Sequence, residues 1–331
     1  MRGTFFLLLR LDFGIICYML YIKRYLYLYF GILILCRCLI AEPLRIATYN
    51  IENFYDRYDD PYSTKDSRVD QGTASKSARE LWALAKVIRE VNADVIALQE
   101  VENIGFLREF NNSYLKDMKY KNVVLIEGNS SKTIRGRGID VAVMSRVPVL
   151  SATTYQHRKF DFEDDKNIKF SRDFLHVKLK SPDYPVIHLF TLHTISKKSG
   201  AWTHYQRINE AKAGAQILEE QFAKDSNAWI IVLGDFNDGP NSKSVKTFLN
   251  IPGVPLKRVP VLDNKKRKYT WYGKGKYYSP STLDHILVSL PIAEKINAKK
   301  SGVFNDKNAE QASDHRPLFI EIDGRSGTSG Q

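Results

Sequence analysis

Residues Ile230–Asp238 read Ile-Ile-Val-Leu-Gly-Asp-Phe-Asn-Asp. Four apolar residues in a row, mostly β-branched, fit a short buried strand. The glycine ends that run just before two oxygen-bearing side chains, Asp235 and Asn237. The pattern recurs along the chain: Asn50 follows Ile46–Tyr49, Glu100 follows Val95–Gln99, His193 follows Leu189–Leu192, and Asp314-His315 precede Leu318–Ile322. One acid at a strand end is ordinarily turn chemistry. Five such places in one sequence predict instead a rim where several strands deliver side chains to one cleft.

Around these sites, short β-type runs alternate with helical patterns from Leu44 onward, without repeats. Strands are expected at Leu44–Tyr49, Val95–Leu98, Asn122–Ile126, Asp140–Ser145, Phe174–Leu179, Val186–Leu192, Trp229–Leu233, Ile286–Val288 and Leu318–Ile322. A helix is expected over Ser75–Val91, where Leu81, Leu84, Val87 and Ile88 recur at helical spacing, and another over His204–Lys224, with Ile208, Ala211, Ala215 and Leu218 on one face. Strands outnumber helices and several are wholly apolar, which predicts sheets packed on each other with helices outside. No linker-like segment divides 44–322, so a single domain over 42–323 is expected, followed by a mobile Gly/Ser-rich tail at 324–331.

The chain has 331 residues, 44% hydrophobic and 26% charged, fractions that exclude collagen-like, disordered and disulfide-scaffold classes. Cys17, Cys36 and Cys38 all precede residue 42, so no disulfide, thiolate nucleophile or cysteine-held zinc can operate in the rest. Residues 1–41 carry apolar runs broken by Lys23-Arg24, then Tyr25–Cys36, and Leu39-Ile40-Ala41 before Glu42-Pro43. An uncharged Tyr25–Cys36 is short for a bilayer span, which needs about 20 residues. It suits a signal peptide over 1–41 cleaved after Ala41, with Met19 a second candidate start. A secreted or periplasmic protein, with no membrane attachment after cleavage, is therefore expected; an uncleaved N-terminal anchor is the alternative. The formal charge of +12 becomes +8 over 42–331, where 44 basic residues face 36 acidic ones, and a polyanionic partner is favoured.

Glu100, Asp235, Asp314 and the amide oxygens of Asn50 and Asn237 are hard donors, suited to Mg²⁺, Mn²⁺ or Ca²⁺. His193 and His315 supply imidazoles able to take or give a proton near neutral pH. Asp284, beside His285, and Asp140, within Gly138-Ile139-Asp140-Val141, are carboxylates able to orient an imidazole. A cation to offset phosphate charge, an imidazole to take a proton from water and an acid for the leaving oxygen are what phosphodiester hydrolysis requires. His157, His176, His188 and His204 lie away from these places and read as surface or packed residues.

Taken in order, Thr48-Tyr49-Asn50-Ile51-Glu52-Asn53, Leu98-Gln99-Glu100-Val101-Glu102, Gly234-Asp235-Phe236-Asn237-Asp238, Leu283-Asp284-His285-Ile286 and Ser313-Asp314-His315-Arg316-Pro317 resemble the ordered signature of the endonuclease/exonuclease/phosphatase superfamily. The resemblance implies a deoxyribonuclease-I-like α/β fold. This is a four-layered sandwich of two mixed β-sheets packed face to face and flanked by helices, with one divalent-metal site at the rim. It implies Glu100 as the principal metal ligand with Asn50 and Asp314 nearby. Asp235 and Asn237 would position the attacking water and the scissile phosphate, and His315 would be general base or acid, oriented by Asp284. His193, in Leu192-His193-Thr194, is similar to the pancreatic-deoxyribonuclease and sphingomyelinase branches, whereas abasic-site nucleases usually carry tyrosine there. Phe170-Ser171-Arg172-Asp173 resembles the deoxyribonuclease segment whose arginine contacts a phosphate. Two positions depart from the pattern: Glu102 stands where an arginine is frequent, and Asp140 replaces a glutamate.

Asn264–Tyr278 interleaves six basic residues with Tyr269, Trp271, Tyr272, Tyr277 and Tyr278. Cations neutralise phosphates and aromatic faces stack on unpaired bases, so Lys268 and Trp271 join Asn50 and Arg172 as expected substrate contacts. A solvated basic loop beside an aromatic strand is the plainer reading. The expected protein is an exported, Mg²⁺-dependent, monomeric endonuclease of DNA, with RNA a second candidate substrate and no stable protein partner. A sphingomyelinase-like or other phosphodiesterase or phosphatase is the alternative. A binding protein that kept the fold and lost turnover is a third reading, disfavoured by the complete acid/base set.

Overall fold

The chain runs β1 (Leu44–Phe54), α1 (Ala78–Val91), β2 (Val95–Val101), α2 (Ile104–Tyr114), β3 (Asn122–Leu125), β4 (Asp140–Ser145), β5 (Val149–Thr153), β6 (Phe160–Phe162), β7 (Asp165–Ile168), β8 (Phe174–Leu179), β9 (Ile187–His193), α3 (Thr203–Lys224), β10 (Trp229–Asp235), α4 (Lys243–Leu249), β11 (Leu256–Arg258), β12 (Asp284–Ser289), α5 (Leu290–Ala293), β13 (Gly302–Val303), α6 (Lys307–Ala312) and β14 (Leu318–Ile322). The computed structural model describes residues 18, 21–23, 25, 42–58, 75–129, 138–162, 165–197, 200–273 and 278–324. Pro43–Asp323 form one compact unit, and Met1–Glu42 with Gly324–Gln331 a second. In the second unit residues 18, 21–23 and 25 are helical, and Tyr21 donates its hydroxyl hydrogen to Tyr25 at 3.0 Å. The expected cleavage point, the start at Met19 and the tail beyond 324 lie outside the described residues. No helix among the described residues is long and apolar enough to cross a membrane.

Two sheets carry the fold, ordered β13-β14-β1-β2-β4-β3 and β11-β12-β10-β9-β8-β5. Both are mixed: β1 runs parallel to β2 and antiparallel to β14, while β10 runs parallel to β9 and antiparallel to β12. Alternation along each strand sorts the apolar residues into three clusters. Ile46, Ala97, Val143, Val177, Leu189, Ile231, Leu233 and Ile286 meet between the sheets. Ala47, Tyr49, Ile96 and Leu98 face outward to Leu84 and Ile88 of α1, Phe110 of α2 and Ala309 of α6. Phe190, Ile230, Val232 and Leu287 face the other way, to Ala211 and Leu218 of α3 and Phe248 of α4. Helix, sheet, sheet, helix: this is the four-layered sandwich expected from the sequence.

Local chemistry fixes the element ends. Ser77 caps α1, its hydroxyl accepting from Glu80 N at 3.3 Å while Glu80 Oε2 accepts from Ser77 N at 2.8 Å, so the helix starts at Ala78 rather than Ser75. Between the sheets a buried polar bridge runs from Thr48 Oγ1 to Gln99 Oε1 (3.2 Å) and from Gln99 Nε2 to Thr191 Oγ1 (3.3 Å). Buried polar groups with partners in both sheets favour one register over its slipped neighbours.

β8 and β9 pack His176 and His188 together, with His176 Nε2 at 3.1 Å from His188 Nδ1 and the His176 ring stacked on Phe190 at 4.1 Å. Burial lowers both imidazoles, and the nearby cations Lys178 and Lys224 add to it; His176 falls to about 3. A histidine whose folded value lies below its unfolded one, about 6.5, gives stability that is complete above that value and lost as pH falls toward the folded value. The urea midpoint is therefore expected to fall between pH 7 and pH 5, and less steeply in His176→Phe. Equal slopes in the two proteins would count against this origin.

Candidate active site

Three strands of the second sheet deliver side chains in one row. His193 closes β9, Asp235 closes β10 and Asp284 opens β12, and Asp235 pairs in register with His193 on one side and Asp284 on the other. Because β9 and β10 are parallel and β12 is antiparallel, two strand ends and one strand start share the same edge. The first sheet arrives through irregular pairing: the β1–β2 register shifts between Asn50 and Phe54, and the β2–β4 register between Gln99 and Val101. There Glu52, Asn53 and Glu100 adopt left-handed φ values of 50°, 52° and 65°. Such conformations cost on the order of 1–3 kcal/mol each and cluster where a side chain must be aimed.

Hydrogen bonds tie the two contributions together. Asn50 Nδ2 donates to Asp235 Oδ2 at 3.0 Å and lies 3.4 Å from Glu100 Oε1, while Asn50 Oδ1 accepts from Glu52 N at 3.0 Å. Asn53 N donates to Glu100 Oε2 at 2.8 Å. Ser313 Oγ donates to the Asn50 carbonyl (2.8 Å) and accepts from His315 N (3.0 Å), which sets the approach of the segment before β14. His315 Nδ1 then donates to Asp284 Oδ2 at 2.8 Å, and its Nε2 lies 3.7 Å from Asp235 Oδ2. His193 Nε2 is 3.4 Å from the same Asp235 oxygen. One carboxylate oxygen thus stands between two imidazoles.

Electrostatics separate the roles. Burial, with the Asp284 carboxylate beside it, pushes Asp235 up to about 7. Burial alone would lower His315, but the Asp284 and Asp235 carboxylates outweigh it and raise the imidazole to about 10. At neutral pH His315 is therefore an imidazolium that donates, and Asp235 is poised where it can accept or release a proton.

A cavity of about 340 Å³ opens at this rim. Glu52, Glu100, Asp235, Asp314, His193, His315 and Asn237 line it, with Trp271, Tyr278 and Lys197. Trp271 Nε1 donates to Asp314 Oδ2 at 2.9 Å, and Asn237 Nδ2 donates to the Thr194 carbonyl at 2.9 Å. Four carboxylates on one small cavity repel one another, and every one offers oxygen. Such a donor set fits a hard divalent cation. Asp235, Asp284 and His315 also offer ligand atoms within 4.8 Å of one another. A metal there would have to break the buried Asp284–His315 hydrogen bond, whereas Glu100 and Asp314 already face the cavity, so the open carboxylates fit a cation better.

The structure brings Asn50, Glu100, His193, Asp235, Asn237, Asp284, Asp314, His315 and Trp271 to one rim. Asp140, Arg172 and Lys268 do not line the cavity. Asp140 is buried at the start of β4, with Oδ1 accepting from Gly128 N at 2.8 Å. Arg172 is buried and donates to the Thr194 carbonyl at 3.2 Å, which ties it to the segment after His193. Lys268 is exposed and does not line the cavity, and its carbonyl accepts from Thr282 Oγ1 at 2.8 Å. Within the basic run, Arg267 pairs with Asp263 at 2.7 Å, so that cation serves the loop itself, and residues 274–277 lie outside the described ones. Sequence reasoning passed over Glu52, whose Oε2 accepts from Asp314 N at 3.0 Å, and Thr270, whose hydroxyl accepts from Leu283 N and Asp284 N. It also passed over Ser313. Glu52 and Ser313 sit inside quoted motifs, but nothing about a serine or a second glutamate in sequence distinguishes a strut from a turn.

The four-layered sandwich gathers imidazoles and carboxylates at one rim. The Endonuclease/Exonuclease/phosphatase family profile matches residues 45–295, and the chain belongs to that family. Its members are hydrolases acting on phosphodiester bonds and generally use divalent metals. No curated relative matches the sequence itself. Among solved structures, the human nocturnin catalytic domain with bound sulfate superposes with a TM-score of 0.59 at 16% identity, covering 87% of this chain and 97% of that one. A family protein from Bacteroides thetaiotaomicron gives 0.57 at 17%, covering 87% and 98%. Truncated TDP2 from Caenorhabditis elegans gives 0.55 at 16%, covering 85% and 98%. At such identities the likeness is one of fold.

Proposed function

We propose that the protein is an exported, divalent-cation-dependent nuclease that cuts phosphodiester bonds within DNA, and RNA as a second substrate. The observation that carries this reading is Asp235 Oδ2 set 3.4 Å from His193 Nε2 and 3.7 Å from His315 Nε2, with Asp284 on the far side of His315. Glu100, flanked by Asn50 and Asp314, would hold the cation, Mg²⁺ by donor type, which supplies charge neutralisation of the phosphate when bound. Asn50 enters through its amide N–H on Glu100 and Asp235, so in this orientation it aims carboxylates rather than offering its own oxygen. Asp235 takes the proton of the attacking water as its oxygen bonds to phosphorus, Asn237 orients the phosphate, and His315, held as imidazolium by Asp284, gives its proton to the leaving oxygen as the bond from phosphorus to that oxygen breaks. Nucleic acid is favoured as substrate by the +8 charge of residues 42–331 and by the Trp271 and Tyr278 rings on the cavity wall, which suit base stacking. Export rests on the composition of residues 1–41.

Supercoiled plasmid, linear duplex, single-stranded RNA and sphingomyelin vesicles, each with Mg²⁺ and with EDTA, test the proposal together. Nicked circles with Mg²⁺ and none with EDTA are expected. Phosphocholine release with intact plasmid would contradict the nuclease reading and leave the hydrolase.

A further inference from the structure

Lys197 is the single lysine or arginine among the described residues that line the cavity, where it faces four carboxylates. Its ammonium pairs with Asp238 Oδ1 at 2.8 Å, yet its side chain is 54% exposed. Asp238 has other partners: Ser244 Oγ at 2.9 Å and Arg207 Nε at 3.5 Å. Turning the lysine toward a ligand therefore leaves no orphaned buried carboxylate.

Backbone hydrogen bonds link Lys197 to the turn that starts α3. Gly200 N donates to the Lys197 carbonyl (3.4 Å) and Thr203 N to the Gly200 carbonyl (3.2 Å). Buried Arg207 binds the Ile195 carbonyl and Thr203 Oγ1, both at 3.1 Å, and so clamps the start of α3 onto the segment that follows His193. That turn carries two large rings in solvent, Trp202 at 58% and Tyr205 at 70% exposed. Their three-residue spacing at a helix start puts them on one side.

We propose that Lys197, Trp202 and Tyr205 form a subsite for single-stranded nucleic acid flanking the scissile bond, Lys197 holding a neighbouring phosphate and the two rings stacking on bases. The proposal rests on the nuclease reading and adds to it where the strand leaves the cavity. Lys197 lines the cavity, and the two rings follow it on the stretch that Arg207 clamps to the segment after His193, so a cation and stacking surfaces come in sequence, as in sequence-tolerant single-strand binders. A lipid-entering surface would add exposed Leu, Ile or Phe beside the rings, and none is exposed between Ile195 and Gln206 among the described residues.

Fluorescence anisotropy with a short oligothymidylate in EDTA measures binding without turnover, across a salt series. Trp202→Ala and Tyr205→Ala are each expected to bind about tenfold more weakly, with unchanged melting temperature because both side chains are exposed. Lys197→Met is expected to lower the slope of log affinity against log salt by about 0.7, one single-strand phosphate contact, and Lys197→Arg to restore it. Wild-type affinity and slope in all of these variants would overturn the subsite, and would do so even if the protein nicks plasmid. Loss of binding to phosphatidylcholine/phosphatidylglycerol vesicles, with oligonucleotide binding intact, would assign the rings to a membrane and equally overturn it. A wild-type protein that neither cuts nor binds nucleic acid would remove the nuclease reading as well.

Discussion

His315→Gln is expected to slow phosphodiester hydrolysis by about 10²–10⁴-fold, the range over which a positioned proton donor acts. The side chain does two things that glutamine cannot combine: its Nδ1 pairs with Asp284 at 2.8 Å, and its Nε2 presents charge toward Asp235 and the cavity. Asp284→Asn probes the same pair from behind. Asp284 is the strongest influence holding the imidazole up at about 10, against the lowering effect of burial, so the variant's His315 titrates at lower pH. The sign is testable by ¹⁵N NMR of the cation-free protein, in which wild-type His315 stays doubly protonated at pH 8 and loses its proton only as pH rises through about 10. Its contribution to folding follows the same window, complete below the unfolded value of about 6.5 and lost on the alkaline side. A neutral His315 at pH 8 in the wild type would contradict the pairing.

Gly234→Ala is expected to destabilise the domain by about 3–5 kcal/mol and to abolish activity with it. Gly234 has φ 141°, a region open to glycine, and a Cβ there would stand 2.1 Å from the Leu192 carbonyl oxygen of the paired strand. That carbonyl belongs to a main-chain ladder that cannot step aside without moving His193 and Asp235, the next residues on each strand. Gly253→Ala is the control: φ is 72° but nothing lies within 4 Å of the added carbon. It carries the left-handed backbone cost alone, about 1–2 kcal/mol. Urea unfolding of the two variants separates steric clash from backbone preference. Similar losses in both would place the cost in the dihedral and not in the close strand approach.

The rim was legible because the strands that build it are apolar on both faces. Trp229–Leu233, Val95–Leu98 and Ile286–Val288 stand out as uninterrupted apolar runs, and the polar residues beside them stand out by contrast. The sequence reading ended β9 and β10 one or two residues early, since a histidine or aspartate closing a strand looks like the start of a loop; in the structure His193 and Asp235 are still paired. Elements with weaker apolar faces were missed. α2 is half polar, Phe-Asn-Asn-Ser within Ile104–Tyr114, and is recognisable chiefly by its Asn103 cap, which accepts from Phe106 N at 2.8 Å. α6 is a single polar turn over Lys307–Ala312, and the β6–β7 hairpin is too short for periodicity to register. Site residues divide the same way. The carboxylates and imidazoles that line the cavity sit in motifs, whereas Lys268 stands out only by local charge density, which says nothing about the direction a loop faces. Arg172 was chosen from a motif, but its partner, the Thr194 carbonyl, lies on another strand's extension.

If His193 and His315 serve one centre through Asp235, losing one imidazole already removes most of what the other contributes. Plasmid nicking rates of His193→Ala, His315→Ala and the double variant, at saturating Mg²⁺ and with folding checked by circular dichroism, decide this. Groups acting as a unit are strongly non-additive, so the double variant is expected to be about as slow as the slower single one. A double variant slower by the product of the two single losses, or either single variant with wild-type rates, would show two independent sites and contradict the shared centre.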